Sequence, residues 1–168
     1  VSTTMHPPPA FSARSLLTLG GFAVAVAVAA GLGGVAASSA SSTYAALDLP
    51  PYAPPAWLFG PVWTVLYVMI AASAWVLWRA AQTRGAAWSP ALTAWAVQLV
   101  LNAAWTPIFF AGDRYGLALV EIVVLLAAVV VTIALARRER PAAAWLLVPY
   151  VAWVAFATAL NAGIVILN

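Results

Sequence analysis

Five long apolar runs, separated by short polar or proline-rich breaks, set the pattern of the chain. They cover roughly 15–37, 60–80, 90–111, 116–136 and 142–167. Each is close to the 20 or so residues that a helix needs to cross the hydrocarbon layer of a bilayer. None alternates polar and apolar positions as a membrane β-strand would. In lipid, backbone polar groups must be satisfied within their own segment, and helices achieve this. The breaks read SSASSTYAALDLPPYAPPAWLF, AQTRGAAW, GDRY and RRERP, and only the first is long. Short links join neighbouring antiparallel helices. The pattern therefore predicts an all-α integral membrane protein, a five-transmembrane-helix bundle, with a polar leader over 1–14 and one domain over 15–168.

The first run has a rival reading. Arg14, an apolar stretch and then AASSASS have the shape of a secretory signal with a small-residue cleavage site. The apolar stretch is about twice a typical signal core, which favours a retained span. Ala23, Ala27 and Gly31 also form a small-residue stripe of the kind that packs helices in membranes, within one chain or between two.

Composition agrees with a lipid solvent. Hydrophobic residues make up 65% of the 168 positions and charged residues 7%, whereas a soluble domain carries about 25% charged residues. The net charge of +3 comes from seven arginines without lysine. They are too scattered for a nucleic-acid footprint, so no nucleic-acid partner is expected. There is no cysteine, and the single histidine, His6, lies in the leader. No metal site is expected, and no imidazole lies in the spans to ligate haem iron. With five spans, six of the arginines fall on the N-terminal side and Arg114 alone on the other. The positive-inside rule then puts the N-terminus in the cytoplasm of a bacterial cell membrane.

Polar and aromatic residues mark the inner faces. On the third span, Trp95, Gln98, Asn102 and Trp105 recur at helical spacing and share one narrow face. Tyr150, Trp153, Ala157 and Asn161 do so on the fifth span, and Trp63, Tyr67, Ala74 and Trp78 on the second. Gln98 and Asn102 either bind neighbouring helices together or present donors and acceptors to a ligand. Trp57, Trp88 and Trp145 suit interfacial anchoring, which explains the deeper Trp63 and Trp153 less well. Three such faces suggest a cavity for a large, flat, mostly apolar molecule. Glu121 stands two turns inside the fourth span, where an acid marks either a functional group or a buried hydrogen-bonded one. Gln98, Asn102 and a neighbouring arginine are its candidate partners. Pro149 is expected to kink the fifth helix. There is no phosphate loop, histidine triad or pair of carboxylates within one span.

Several stretches in order carry a family resemblance: TYAALDLPPYAPPAW, GPVWTVLY, QLVLNAAWTPIFF and PYVAWVAFATALN. The chain resembles the tryptophan-rich sensory protein/translocator protein family, also called peripheral-type benzodiazepine receptors, from about Thr43 to Asn161. It departs from the family pattern at Thr43 and Tyr52, which replace tryptophans, and at Leu49, which replaces a lysine. Its last span, ALNAGIVILN, lacks the tyrosine and basic residue of the animal sterol-recognition pattern.

The resemblance implies a five-helix bundle, often a homodimer, that binds porphyrins, haem and benzodiazepine-site ligands and requires no cofactor. The pocket it implies lies between the first connection and the second, third and fifth spans. Tyr44 would belong to a lid. Trp63, Tyr67 and Trp105 would form aromatic walls, Asn102 would be the pocket amide, Trp153 would face Trp63, and Ala157 would lie in a small-residue patch. Gln98, Glu121 and Tyr150 join the ligand-binding candidates from the helical faces. In some members the pair matching Trp63 and Trp153 supports light- and oxygen-dependent porphyrin breakdown. The prolines of PPYAPPAWLFGP suit a semi-rigid lid over the bundle mouth, with a re-entry turn carrying interfacial anchors as the alternative. Three functions stay open: a tetrapyrrole receptor or carrier, a porphyrin photo-oxidising enzyme, and a membrane scaffold.

Overall fold

The polar amides predicted to face inward do so, and they order the bundle. The computed structural model describes residues 12–36 and 40–168; His6 and most of the leader lie outside them. Among the described residues six helices follow one another: α1 (Ala13–Ala36), α2 (Ala40–Ala46), α3 (Phe59–Thr83), α4 (Pro90–Thr106), α5 (Tyr115–Glu139) and α6 (Pro141–Leu167). A 3₁₀ turn, Ala56–Leu58, leads into α3, and a turn of π-helix, Pro107–Ala111, closes α4. All except the short α2 are long and apolar enough to cross a membrane.

Packing runs in a closed circuit, with α1 against α3, α3 against α6, α6 against α5, α5 against α4 and α4 back against α1. Although consecutive, α3 and α4 touch little and face one another across the middle. The lipid side is apolar, with Val24, Val28, Val68, Val100, Val124 and Ile166 among its exposed residues. The interior holds Ser73, Gln98, Asn102, Thr132 and Asn161, all buried. This inversion of a soluble fold is what hydrocarbon requires: polar groups go inside, where they find partners.

Those partners form a chain of bonds. Tyr150 Oη donates to Gln98 Oε1 (2.9 Å) and accepts from Asn102 Nδ2 (3.2 Å). Tyr67 Oη donates to Asn102 Oδ1 (3.2 Å), and Gln98 Nε2 donates to the Trp95 carbonyl (2.9 Å). Trp95 Nε1 reaches the Ile70 carbonyl on α3 (3.0 Å). Nearer the end of the bundle, Trp105 Nε1 donates to Asn161 Oδ1 (3.3 Å), and Asn161 Nδ2 to the Tyr115 carbonyl (3.0 Å). These bonds tie α3, α4, α5 and α6 together. By contrast, among the described residues α1 is hydrogen-bonded to the other helices by Trp75 Nε1 alone, which donates to Ser15 O and Oγ (both 3.1 Å).

Helix ends follow local chemistry. Gly85, at φ 71°, ends α3, with Ala86 N bonded back to Ala81 O and Gly85 N to Gln82 O. Glycine adopts this left-handed backbone without steric cost. Ser89 Oγ caps α4 by accepting from Leu92 N (3.3 Å), with Pro90 in the first turn. Glu139 adds a second cap across the bundle by accepting from Ala91 N (3.1 Å) while paired with Arg84 (2.8 Å). The α6 helix continues through Pro149.

The α1 helix differs from expectation in the face it uses. Ala23, Ala27 and Gly31 are exposed, whereas Phe22, Val26, Ala29 and Gly33 are buried. Phe22 meets the Trp95 ring edge-on at 5.3 Å, so a bulky contact rather than the small-residue stripe sets how α1 packs.

Tyr150→Phe keeps the ring and removes the hydroxyl that serves two amides. It should destabilise the protein by about 1–2 kcal/mol, read as a lower midpoint of unfolding in detergent, while Tyr115→Phe at the exposed Asp113 contact should change little.

Candidate functional site

One face of α3 builds the site. Phe59, Trp63 and Tyr67 are spaced four residues apart and therefore stack along the helix. The rings of Trp63 and Tyr67 are stacked at 5.2 Å. Across from them, α4 presents Trp105 and Thr106, and the π-turn presents Phe110. Phe109 and Phe110 pack on Trp105 at 5.0 and 6.1 Å, which holds its indole in place. The third wall is α1, whose Ala30, Gly33 and Gly34 bring backbone close to the opening. Together these residues and Tyr44 enclose a cavity of about 400 Å³, within the range of small-molecule sites.

A second space lies deeper, bounded by Asn102, Ile122, Leu125, Trp153, Val154 and Ala157, and it shares the wall of Phe59, Trp63, Tyr67, Trp105 and Thr106. Its volume is about 20 Å³, room for roughly one water. The pocket expected between the second, third and fifth spans is thus nearly closed, and the open cavity adjoins the first span instead. The cause is packing: Phe59 sits edge-on against Trp153 at 5.7 Å, and the Tyr67–Asn102–Tyr150 bonds draw the helices together.

Tyr44, Trp63, Tyr67 and Trp105 line the open cavity. Asn102, Trp153 and Ala157 line the inner space and not the open cavity. Gln98, Glu121 and Tyr150 line neither; Gln98 and Tyr150 are spent on each other. Neither carboxylate oxygen of Glu121 has a hydrogen-bond partner among the described residues, and the same holds for Trp153 Nε1. The expected partners of Glu121 are engaged elsewhere: Gln98 and Asn102 hold Tyr150. Phe59, Thr106, Phe110 and the α1 residues were not singled out by sequence. Phe59 carried a signal, since it continues the Trp63–Tyr67 spacing by one turn.

The proline-rich connection gives Tyr44 and Ala56 to the cavity wall and is fastened to α6. Tyr44 Oη donates to the Pro54 carbonyl (2.9 Å) and closes the connection on itself. Burial pushes the Tyr44 phenol above its ordinary pKa, so it stays protonated and keeps donating. Asp48 and Asn168 exchange two bonds, Asp48 N to Oδ1 (3.1 Å) and Nδ2 to Asp48 O (3.0 Å). Tyr52 Oη donates to the Ala159 carbonyl (2.9 Å). Gly163 makes this docking possible, because a Cβ there would stand 2.7 Å from Tyr52 Oη and 3.0 Å from Pro50.

The five spans agree with what comparison of sequences finds. A profile described as the TspO/MBR family matches residues 22–167. The chain belongs to the TspO/MBR family. It is similar to "Tryptophan-rich protein TspO" of Chlorobaculum tepidum, with 39% identity over 135 residues, covering 77% of this chain and 81% of the relative. It is 38% identical over 118 residues to "Translocator protein" of Homo sapiens, covering 70% of each chain. "Protein CrtK" of Rhodobacter capsulatus is 34% identical over 159 residues, covering 92% of this chain and 94% of the relative. This TspO/MBR member is thus a multi-pass membrane protein with an aromatic cavity beneath its first connection.

Gly163→Val should lift the connection off α6. Overpacking of this kind costs about 1–3 kcal/mol, and amide exchange around residues 48–53 should accelerate while exchange in α4 and α5 stays as in the wild type.

Proposed function

We propose that this chain is a membrane receptor or carrier for tetrapyrroles such as protoporphyrin IX or haem, with a sensory or transport role in their handling. Synthetic benzodiazepine-site ligands would use the same cavity. The observation that carries the reading is the 400 Å³ cavity, whose walls are Tyr44, Phe59, Trp63, Tyr67, Trp105 and Phe110. A flat macrocycle gains from aromatic faces set edge-on and stacked, and the glycines of α1 let its rim approach backbone. Haem would be held through its ring, since the one histidine of the sequence lies in the leader. Tyr44 is already tied to the Pro54 carbonyl at the cavity wall, so little freedom of this side chain is lost on binding.

One observation favours a second reading. Trp63 lines both the open cavity and the inner space, and Trp153 lines the inner space behind it. A bound porphyrin would lie against an indole able to donate an electron to its excited state, with the second indole in reserve. Light-dependent breakdown, with dissolved oxygen as the oxidant, would then accompany binding.

Titration with protoporphyrin IX in the dark, followed by tryptophan quenching, tests the first reading. A Cβ added at Gly33 would stand 3.4 Å from Thr106 Oγ1, so alanine fits and a longer side chain enters the cavity. Gly33→Leu should weaken binding by at least about tenfold, or about 1.4 kcal/mol, Trp63→Phe by a few-fold, and Trp153→Phe least. Quenching that is unsaturable and equal in all variants would show partition into detergent and end the proposal. Loss of porphyrin absorbance on illumination, abolished by Trp63→Phe, would establish the second reading.

Orientation is part of the proposal: the arginine-rich end faces the cytoplasm of a bacterial cell membrane. The chain has no cysteine, so single cysteines report cleanly. In intact cells an impermeant maleimide should label Ala53→Cys and leave Ala87→Cys unlabelled until the cells are opened.

A further inference from the structure

The end of the bundle away from the connection holds a second cavity of about 440 Å³, between the close of α3 and the α5–α6 turn. Its walls include Val76, Arg79, Thr83, Arg84, Glu139 and Arg140. Three arginines and one glutamate thus share the wall. That carboxylate is already committed: Glu139 Oε2 pairs with Arg84 Nη2 at 2.8 Å, and Oε1 accepts from Ala91 N at 3.1 Å. Arg79 rests over the Trp75 ring, 5.2 Å from its centroid. Neither Arg79 nor Arg140 forms a salt bridge among the described residues.

The backbone adds to the same sign. The α6 helix begins at this cavity, with Arg140 as its N-cap, Pro141 first and Ala142 on the wall. No side chain caps it, unlike α4. A helix N-terminus carries a partial positive charge and unpaired N–H groups, both suited to an anion.

Depth decides which anion. Trp88 and Trp145 belong to this end and are 48% and 73% exposed, the arrangement of indoles at a membrane–water interface. Arg137 and Arg138 are exposed in the last turn of α5. The cavity therefore lies at headgroup level, with apolar Val76, Ala80 and Ala142 beside its charged residues. A phosphodiester with acyl chains fits both halves of that surface.

We infer that this cavity is a binding site for the headgroup of an anionic phospholipid, held by Arg79, Arg140 and the start of α6, with Arg84 fixed by Glu139 at its edge. Basic pockets between membrane helices take such headgroups, at about 1 kcal/mol or roughly fivefold in affinity per cation. The site is separate from the aromatic cavity and stands whether or not that cavity binds a tetrapyrrole.

Native mass spectrometry of the full chain in detergent, with phosphatidylglycerol, phosphatidylcholine or inorganic phosphate added, tests the assignment. Phosphatidylglycerol should be retained and should raise the unfolding midpoint, with phosphatidylcholine and inorganic phosphate doing neither at equal concentration. Arg79→Gln and Arg140→Gln should each weaken retention about fivefold, and the pair about 25-fold. Arg114→Gln at the opposite end should change nothing. Raising the salt should weaken phosphatidylglycerol retention in the unaltered protein, a check that needs no variant. Equal retention of both lipids, insensitivity to the two arginines or to salt, or an equal loss in Arg114→Gln would overturn the site. Protection by inorganic phosphate equal to that by lipid would make it a soluble-anion site and overturn the lipid assignment.

Discussion

One hydroxyl at the middle of the bundle, that of Tyr150, organises its neighbours. It donates to Gln98 and accepts from Asn102, and Asn102 in turn accepts from Tyr67. Set among apolar helices, these groups are satisfied by one another rather than by bulk water. That bonding fixes α6 against α4 and α3 against both, at one depth. It also explains where space is left. Helices drawn together by the amides leave almost nothing between α3, α4 and α6, and the volume collects on the side of α1, which contributes no polar group to the network. The cavity is in this sense the complement of the hydrogen-bonded core.

Much of this was readable from the chain, for a physical reason. Span lengths follow from bilayer thickness, and the run boundaries at 90–111 and 142–167 lie within a residue of the ends of the helices and π-turn observed. The shared face of Trp95, Gln98 and Asn102 follows from helical geometry, and all three are buried. What the periodicity could not say is which surface each face meets. In a soluble helix polarity separates outside from inside; in a membrane span both sides are apolar, and assignment rests on the few polar residues available. The α1 helix has almost none within the membrane, and its Ala23, Ala27 and Gly31 lie on the exposed side. The neighbour order, with α3 against α6 rather than α4, depends on contacts distant in sequence. Gly163 escaped notice for the same reason, since its role exists only once Tyr52 and Pro50 lie over it.

The two ends of the bundle are chemically unlike. Around the connection the charged residues are Asp48, Asp113 and Arg114, whereas the other end gathers six arginines around Glu139. Glu139 does two tasks there, neutralising Arg84 and capping α4, and thereby joins the end of α5 to the end of α3 and the start of α4. Charge is thus concentrated where interfacial anchoring needs it, and aromatic surface where a hydrophobic guest could be received. Separation of these chemistries along the bundle axis lets each end be altered with little effect on the other.

The attachment of α1 has a mechanical consequence. Among the described residues its hydrogen bonds to other helices are confined to Ser15, near the arginine-rich end, while Gly33 and Gly34 at the far end form cavity wall. Along the rest of its length, at about 1.5 Å per residue, α1 is held by packing against α3, α4 and the π-turn. The α1 wall of the open cavity is therefore held by packing rather than by hydrogen bonds, whereas α3 and α4 are bonded into the amide network.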